Sequence, residues 1–254
     1  MTLQRTLASL QSILPLFNER LVICQESDPA EMACARQMGF KPIPTRENVG
    51  IQNGLKLAVS EAQNDLVLVL ENDAEYMGGE DGIRILREAL CQMMTTSVDH
   101  IRLGRLDERP SQRYSKFWGL QSRPRRTVIG YLQWHLANIR KYEILSLPDI
   151  NPDEMSCEFT RVSDSFWQTT SKYVGWTNRS FLTRKAFFLN QLLPFAEAHP
   201  TSRLINGQPD LEHPINCLQN RYWWRSQKFS IGIVRRGLFG HVRHDRNSDD
   251  EKKG

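Results

Sequence analysis

The residues best placed to do chemistry lie at 71–73. The apolar run Leu66-Val67-Leu68-Val69-Leu70 leads straight into Glu71-Asn72-Asp73, and two glycines and further acids follow in Gly78-Gly79-Glu80-Asp81. Two carboxylates flanking an amide offer hard oxygen donors. Mg2+ and Mn2+ favour such donors, and a cation held by them can in turn hold a diphosphate. A plainer reading stands beside this one, in which the acids cap a strand and solvate a loop.

Which reading applies depends on the elements that position the acids. Leu3, Leu7, Leu10 and Leu14 recur at helical spacing and predict an amphipathic helix over 2–14. Leu21–Cys24 is a short apolar run that reads as a strand. Asp28-Pro29-Ala30-Glu31 is a helix start, with a capping acid and a proline at the first helical position, and Gly39 suits its end. Phe40–Thr45 reads as a further strand, made irregular by Pro42 and Pro44. Ile51, Leu55, Ala58 and Val59 share one face of a helix over 48–62. Asp65–Leu70 is the clearest strand, apolar on both faces as in a sheet covered by helices. Ile83, Leu86, Leu90 and Met93 mark another helix, and His100–Leu103 another strand. Strands alternating with helices predict a doubly wound α/β sheet, in which ligands bind at the carboxyl ends of the strands. Glu71-Asn72-Asp73 stands at such an end.

Composition sets the outer bounds. The 254 residues are 40% hydrophobic and 24% charged, enough to bury a core, and the net charge of +4 suits anionic ligands without requiring nucleic acid. Five scattered cysteines (Cys24, Cys34, Cys91, Cys157 and Cys217) contain no C-x-x-C pair and read as reduced thiols in a cytoplasmic setting. No apolar run approaches the roughly 20 residues of a membrane span. Between 107 and 127, Arg109, Arg113, Lys116, Arg123, Arg125 and Arg126 interleave with Tyr114, Phe117 and Trp118. That pattern fits a basic loop over a diphosphate or an anionic acceptor, a solvated surface loop, or a site for single-stranded nucleic acid.

The stretch "RENVGIQNGLKLAVSEAQNDLVLVLEND" resembles the nucleotide-sugar glycosyltransferases of the GT-A fold, especially the large family-2-type group. Asn48 and Gly50 match that family's asparagine–glycine turn. Asn64-Asp65 matches the residues that introduce its strand, and Glu71-Asn72-Asp73 stands where the family carries Asp-x-Asp. Upstream, "LVICQESDP" is similar to the family's second strand, with Ser27-Asp28 at its end. The resemblance covers about residues 3–106 and implies a GT-A-like mixed sheet flanked by helices. Ser27, Asp28, Asn48, Gly50, Glu71, Asn72 and Asp73 would then face the donor. Mn2+ or Mg2+ would be held by Asp73 and Glu71, with His241 of "GLFGHVRHDR" as a third ligand and His244 as the alternative. Glu at 71 departs from the family's aspartate and leaves Asp73 as the stronger ligand.

In the second half the resemblance implies acceptor-side residues. "GWTNRSFLTRKAFF" is similar to the family's segment that shapes the acceptor site, which assigns Trp176, Thr177 and Asn178 to its lining, with Arg126 from the basic loop. "NGQPDLEHPINC" places Asp210 and Glu212 where the family carries an acidic pair, one of which acts as general base. A carboxylate there must take the proton of the attacking hydroxyl. Capping of a helix start explains Asp210 equally well. Tyr222, Trp223 and Trp224 read as core or as acceptor wall. The implied organisation is a nucleotide-sugar-binding half over 1–106, an acceptor-binding half of the same domain over 107–246, and a disordered tail over 247–254. The implied activity is metal-dependent, inverting transfer of a sugar from a nucleoside-diphosphate donor to a glycan or other hydroxyl acceptor. A catalytically inactive domain of the same type, binding glycan or a protein, is the alternative.

One element of the family pattern is missing. A first strand ordinarily precedes the "TLASL" helix, and no strand fits before Thr2. The expectation is a sheet without that strand, unless upstream residues or another strand supply it.

Overall fold

The computed structural model describes residues 2–104, 159–205, 207–217 and 219–241, excluding the side chains of Arg221 and His241. The predicted first helix is shorter than its leucine spacing implied. Helix α1 (Thr2–Ser9) gives way to two 3-10 turns, Leu10–Ser12 and Leu14–Leu16. Pro15 has no N–H to continue the ladder, which limits helix in this stretch. Strand β1 (Leu21–Cys24) and helix α2 (Pro29–Gln37) follow, with Asp28 capping the helix by accepting the N–H groups of Ala30 and Glu31 at 2.7 and 3.3 Å. β2 (Lys41–Pro44) pairs parallel to β1 despite its two prolines. In this pair β2 has only β1 as a neighbour, and prolines are tolerated on a strand at the edge of a sheet. Then come α3 (Gly50–Glu61), β3 (Leu66–Val69), β4 (Ala74–Tyr76), α4 (Gly79–Thr95) and β5 (His100–Arg102).

Beyond the undescribed stretch lie β6 (Thr160–Arg161), β7 (Phe166–Thr170) and β8 (Phe181–Arg184). Helix α5 (Lys185–Phe187) runs through a π-turn, Phe188–Leu192, into α6 (Leu193–Ala198). The hairpin β9–β10 (Leu204–Ile205 and Gln208–Pro209), helices α7 (Glu212–Asn216) and α8 (Arg221–Gln227), and strands β11 (Ser230–Val234) and β12 (Phe239–His241) complete the described chain. The basic loop with Arg126, the alternative ligand His244 and the predicted tail over 247–254 all lie outside the described residues.

The architecture is mixed α/β. Six strands form one mixed sheet in the order β3-β8-β5-β11-β7-β6. β8 is antiparallel to both β3 and β5, and β5 is parallel to β11, so β3, β5 and β11 point the same way. Strands from before and after the undescribed stretch therefore interleave. β3 is covered on both faces, as its unbroken apolar run predicts. Leu66 and Leu68 pack on one apolar cluster with Leu3, Leu7 and Leu86, while Val67 and Val69 pack on a second with Trp176, Phe181 and Phe188.

Two adjacent basic residues tie both helical layers to the centre of this sheet. Arg184 donates to the carbonyls of Met93, Thr96 (2.7 Å) and Val98 (2.9 Å) around the end of α4. Lys185 donates to Ser60 and Ala62 (3.0 and 2.6 Å) at the end of α3. Each cation meets the negative end of a helix, where it satisfies carbonyls that lack an intrahelical partner.

Among the described residues, β1 pairs only with β2, and β3 only with β8. The parallel pair and the six-stranded sheet share α3, which packs on both β1 and β3, but no described strand joins them.

Candidate functional site

The strand register fixes one edge of the large sheet. Val69 of β3 is opposite Phe181 of β8, Phe181 is opposite Arg102 of β5, and Arg102 is paired with Ile233 of β11. The carboxyl ends of β3, β5 and β11 therefore lie beside the amino end of β8. Glu71-Asn72-Asp73, which follows β3, and Thr177-Asn178-Arg179, which precedes β8, are far apart in sequence but leave the sheet at this same edge.

The acid triplet forms a tight turn that its backbone holds. Ala74 N–H donates to the Glu71 carbonyl at 3.1 Å. Thr6 of α1, itself buried, donates its hydroxyl to the Asn72 carbonyl at 2.7 Å. Tyr76 N–H donates to Ser9 Oγ at 2.9 Å, and Arg5 pairs with Glu75 at 3.4 Å. α1 thus turns its leucines to the core and its hydroxyls to the turn. β4 then pairs with β12, which sets the backbone of His241 opposite Ala74, next in sequence to Asp73. Among the described residues, no three His, Cys, Asp or Glu side chains are grouped to hold a metal ion. The turn itself supplies two carboxylates, from Glu71 and Asp73, of the oxygen-donor kind that hard cations take.

Asp210 and Glu212 meet Thr177 and Asn178 directly. Glu212 Oε1 accepts the Thr177 hydroxyl at 2.8 Å and the Asn178 N–H at 2.7 Å. Asp210 Oδ1 accepts Asn178 Nδ2 and the Glu212 N–H, both at 3.1 Å, and its Oδ2 accepts the His213 N–H at 3.3 Å. Asp210 is buried and spends both oxygens on this work, as a capping residue does. Glu212 is half-buried, and its Oε2 takes no hydrogen bond from a described residue. Trp176 is completely buried and packs its ring on His100, Phe181 and Trp224, so its place is in the core behind the edge. Its Nε1 donates to Asn178 Oδ1 at 3.0 Å, which orients the amide that Asp210 receives. Of the three aromatics after Asn220, Trp224 is core, Trp223 stacks on Phe195, and Tyr222 is exposed.

The asparagine–glycine turn joins this group from the other side. Asn48 Oδ1 accepts the Gly50 N–H at 2.9 Å, and Gln25 Oε1 accepts the Val49 N–H at 2.8 Å. Gly50 has φ +75°, and a Cβ there would lie 2.3 Å from Cβ of Gln208. Only glycine fits both demands, and the contact brings the start of α3 against the hairpin that leads to Asp210. Ser27 donates to the Thr45 carbonyl at 2.8 Å, while Asp28 is the cap of α2. Glu26 and Ser27 both adopt left-handed backbone (φ 57° and 53°), an uncommon pair of non-glycine residues in that region, at the carboxyl end of β1.

Sequence reasoning missed His100, Arg102 and Arg179. His100 and Arg102 are two apart in a strand and so share a face, a signal that was present in "HIRL". His100 is 1% exposed, and neither ring nitrogen meets a hydrogen-bond partner among the described residues. Burial, then the nearby Arg102, push its pKa down to about 3. Arg102 is also buried. Burial and the neighbouring Arg179 lower its pKa to about 10, and Glu212 acts in the opposite sense.

No family model matches the chain, and no curated protein matches it. Among solved structures, one described as the crystal structure of a mycobacterial protein aligns with a TM-score of 0.48 and 14% identity, over 98% of this chain and 66% of that one. This chain thus spans just under two thirds of that protein's length. No described helix is long and apolar enough to cross a membrane.

Proposed function

We propose that the protein is a GT-A-type, metal-dependent glycosyltransferase that moves a sugar from a nucleoside-diphosphate donor to a hydroxyl acceptor with inversion. One observation supports the reading: at a single sheet edge, the Glu71–Asp73 turn follows β3 while the Thr177–Asn178 segment, which holds Asp210 and Glu212, precedes its antiparallel neighbour β8. Glu71 and Asp73, with His241 across the β4–β12 pair, are the residues that would hold Mn2+ or Mg2+. Bound there, the cation would offset negative charge on the departing diphosphate. Ser27, Asp28, Asn48 and Gly50 border the donor side.

The hydrogen bonds rank the two candidate bases. Asp210 already accepts three hydrogen bonds, whereas Glu212 Oε2 takes none from a described residue. Glu212 is therefore the general base and Asp210 its positioning residue. As the acceptor oxygen bonds to the anomeric carbon, its proton passes to Glu212, and the bond from that carbon to the diphosphate oxygen breaks, the diphosphate leaving with the electron pair.

The test is calorimetric titration of Mn2+ with UDP and with GDP, paired with a transfer assay. Asp73→Asn should lose metal-dependent nucleotide binding. Glu212→Gln should keep it and lose transfer. Equal binding by Asp73→Asn and the parent would return the acids to plain strand capping. A second reading, an inactive domain of the same type that binds glycan or protein, is favoured by one observation: the β1–β2 pair is not joined to the large sheet by any described strand. Glycan binding by a parent protein that binds neither nucleotide would select it.

A further inference from the structure

Two apolar strands expose bare edges. β1 (LVIC) and β3 (LVLV) carry no charge, yet each is only half-buried along its first three residues, whereas β5 is buried throughout. Lys41 N–H donates to the Arg20 carbonyl and Thr45 N–H to the Cys24 carbonyl, which turns the backbone of residues 20, 22 and 24 toward β2. Lys185 N–H donates to the Asp65 carbonyl, which turns residues 65, 67 and 69 toward β8. Backbone groups alternate sides along a strand, so those of Leu21, Ile23, Leu66 and Leu68 point the other way. There they meet no backbone partner among the described residues.

The two bare edges face each other under α3. Gln25, just after β1, accepts Val49 N–H before the start of α3, and Glu19, just before β1, accepts Gln63 N–H past its end, both at 2.8 Å. β1 therefore runs antiparallel to α3. β3 returns from the end of that helix and also packs on it, so β1 and β3 are parallel. Val22 packs with Leu66 and Leu68 on one apolar cluster. A helix is about 10 Å across and paired strands lie about 4.8 Å apart, so two unpaired strands under one helix leave the width of one strand between them.

The outer edges are built differently. On β2 the residues that face outward are Pro42 and Pro44, which have no N–H to offer, and β6 is two exposed residues, one of them Arg161. Proline, charge and shortness are the devices that keep a sheet edge from pairing. β1 and β3 have none of them, and unpaired backbone set among apolar side chains is costly.

We propose that the gap between β1 and β3 is an acceptor slot for one strand of a partner polypeptide, inserted parallel to both. The inference rests on the strand edges alone and stands apart from sugar transfer. The lining defines the strand. It is apolar on both faces, because Leu66 and Leu68 belong to one core cluster and Val67 and Val69 to the other. Basic residues flank it, because Glu19 and Asp65 stand at the amino end of the gap and Glu26 at the carboxyl end, while the nearby cations Arg20 and Lys185 already donate to main-chain carbonyls. A second copy has no described strand to lend, since each is already paired. Main-chain pairing would supply the affinity and the alternating side chains the selectivity.

The probe is the synthetic peptide KKVIVIVKK, added to the full chain, with amide hydrogen exchange read residue by residue by NMR. In the chain alone, Leu21, Ile23, Leu66 and Leu68 should exchange at least tenfold faster than Val22, Cys24, Val67 and Val69. Saturating peptide should slow the first four at least tenfold, whereas KKVIPIVKK, which cannot complete the ladder, should leave them unchanged. A nitroxide on the amino end of the peptide should broaden Gln63 rather than Gln25, as parallel insertion requires, and the reverse would overturn that placement. Protection of the four amides in the monomeric chain alone, or no protection at millimolar peptide, would overturn the proposal. Protection that appears as the chain alone dimerises would give the slot to a second copy and overturn the partner assignment. Neither metal nor nucleotide enters the measurement, so its failure is distinct from failure of the glycosyltransferase reading.

Discussion

The two acidic groups at the sheet edge are held in opposite ways. At 71–73 the contacts that fix the turn run through backbone atoms: the carbonyls of Glu71 and Asn72 and the N–H groups of Ala74 and Tyr76. At 210–212 the carboxylates themselves are the fasteners, receiving a hydroxyl, a side-chain amide and three backbone N–H groups. The first turn has a backbone framework of its own, whereas the second depends on its acids for its shape. A site that must present carboxylates to a ligand is better built in the first manner. A site that must hold one carboxylate still beside an acceptor is served by the second.

This contrast can be broken or sharpened by experiment. The largest effect should come from pH, because the 210–212 region rests on a layer that contains the buried His100, whose ring nitrogens meet no hydrogen-bond partner among the described residues. Its pKa lies at about 3 in the folded protein, against an ordinary value of 6.5. Above pH 6.5 the ring is neutral in both states and costs nothing. As pH falls below 6.5 the unfolded chain gains a proton that the folded chain refuses, so stability drops by about 1.4 kcal/mol per pH unit until near pH 3. Denaturant unfolding at pH 7.5, 5.5 and 4.5 should show this loss in the parent and a markedly smaller one in His100→Leu. Identical pH profiles would remove His100 as the source.

Next in size is Asp210→Ala. It removes the cap of α7 and leaves a buried donor on Asn178 and half-buried donors on Glu212 and His213 unsatisfied, for a loss of about 2–3 kcal/mol. A loss below about 0.5 kcal/mol by chemical denaturation would mean that the carboxylate does not fasten this region.

Thr6→Val should cost about 1 kcal/mol, the worth of one hydrogen bond to the Asn72 carbonyl, since shape is kept and only the donor is lost. Hydrogen exchange should rise at Ala74 and Tyr76 and stay unchanged at Glu212. Exchange spread evenly over both regions would show that they are not held independently. Smallest of all is the stability effect of Asp73→Asn, within about 0.5 kcal/mol of the parent. A drop of 2 kcal/mol would erase the distinction between the two acidic groups.

Much of the first hundred residues was legible from pattern. Asp28-Pro29 marked the start of α2, and the unbroken apolar run at 66–70 marked a strand with both faces covered, because local propensity and the tertiary environment agree there. β4 was not legible. Ala74–Tyr76 is three residues long and becomes a strand only through β12, more than 160 positions later. β2 was expected to be irregular, yet it pairs regularly because its prolines lie at the edge of a two-stranded sheet.

By itself, the sequence determined the alternating α/β order, the carboxylates at the end of β3, and the capping residues that start and stop the helices. These follow from interactions within about four positions along the chain, or from the period-two and period-3.6 repeats of a single element. Tertiary structure alone decided that β8 would insert antiparallel between β3 and β5. That placement sets Asn178 beside Asp210 and Glu212 and buries His100 and Arg102 on one face. Strand order depends on which edges pair across long loops, and no local propensity encodes that choice.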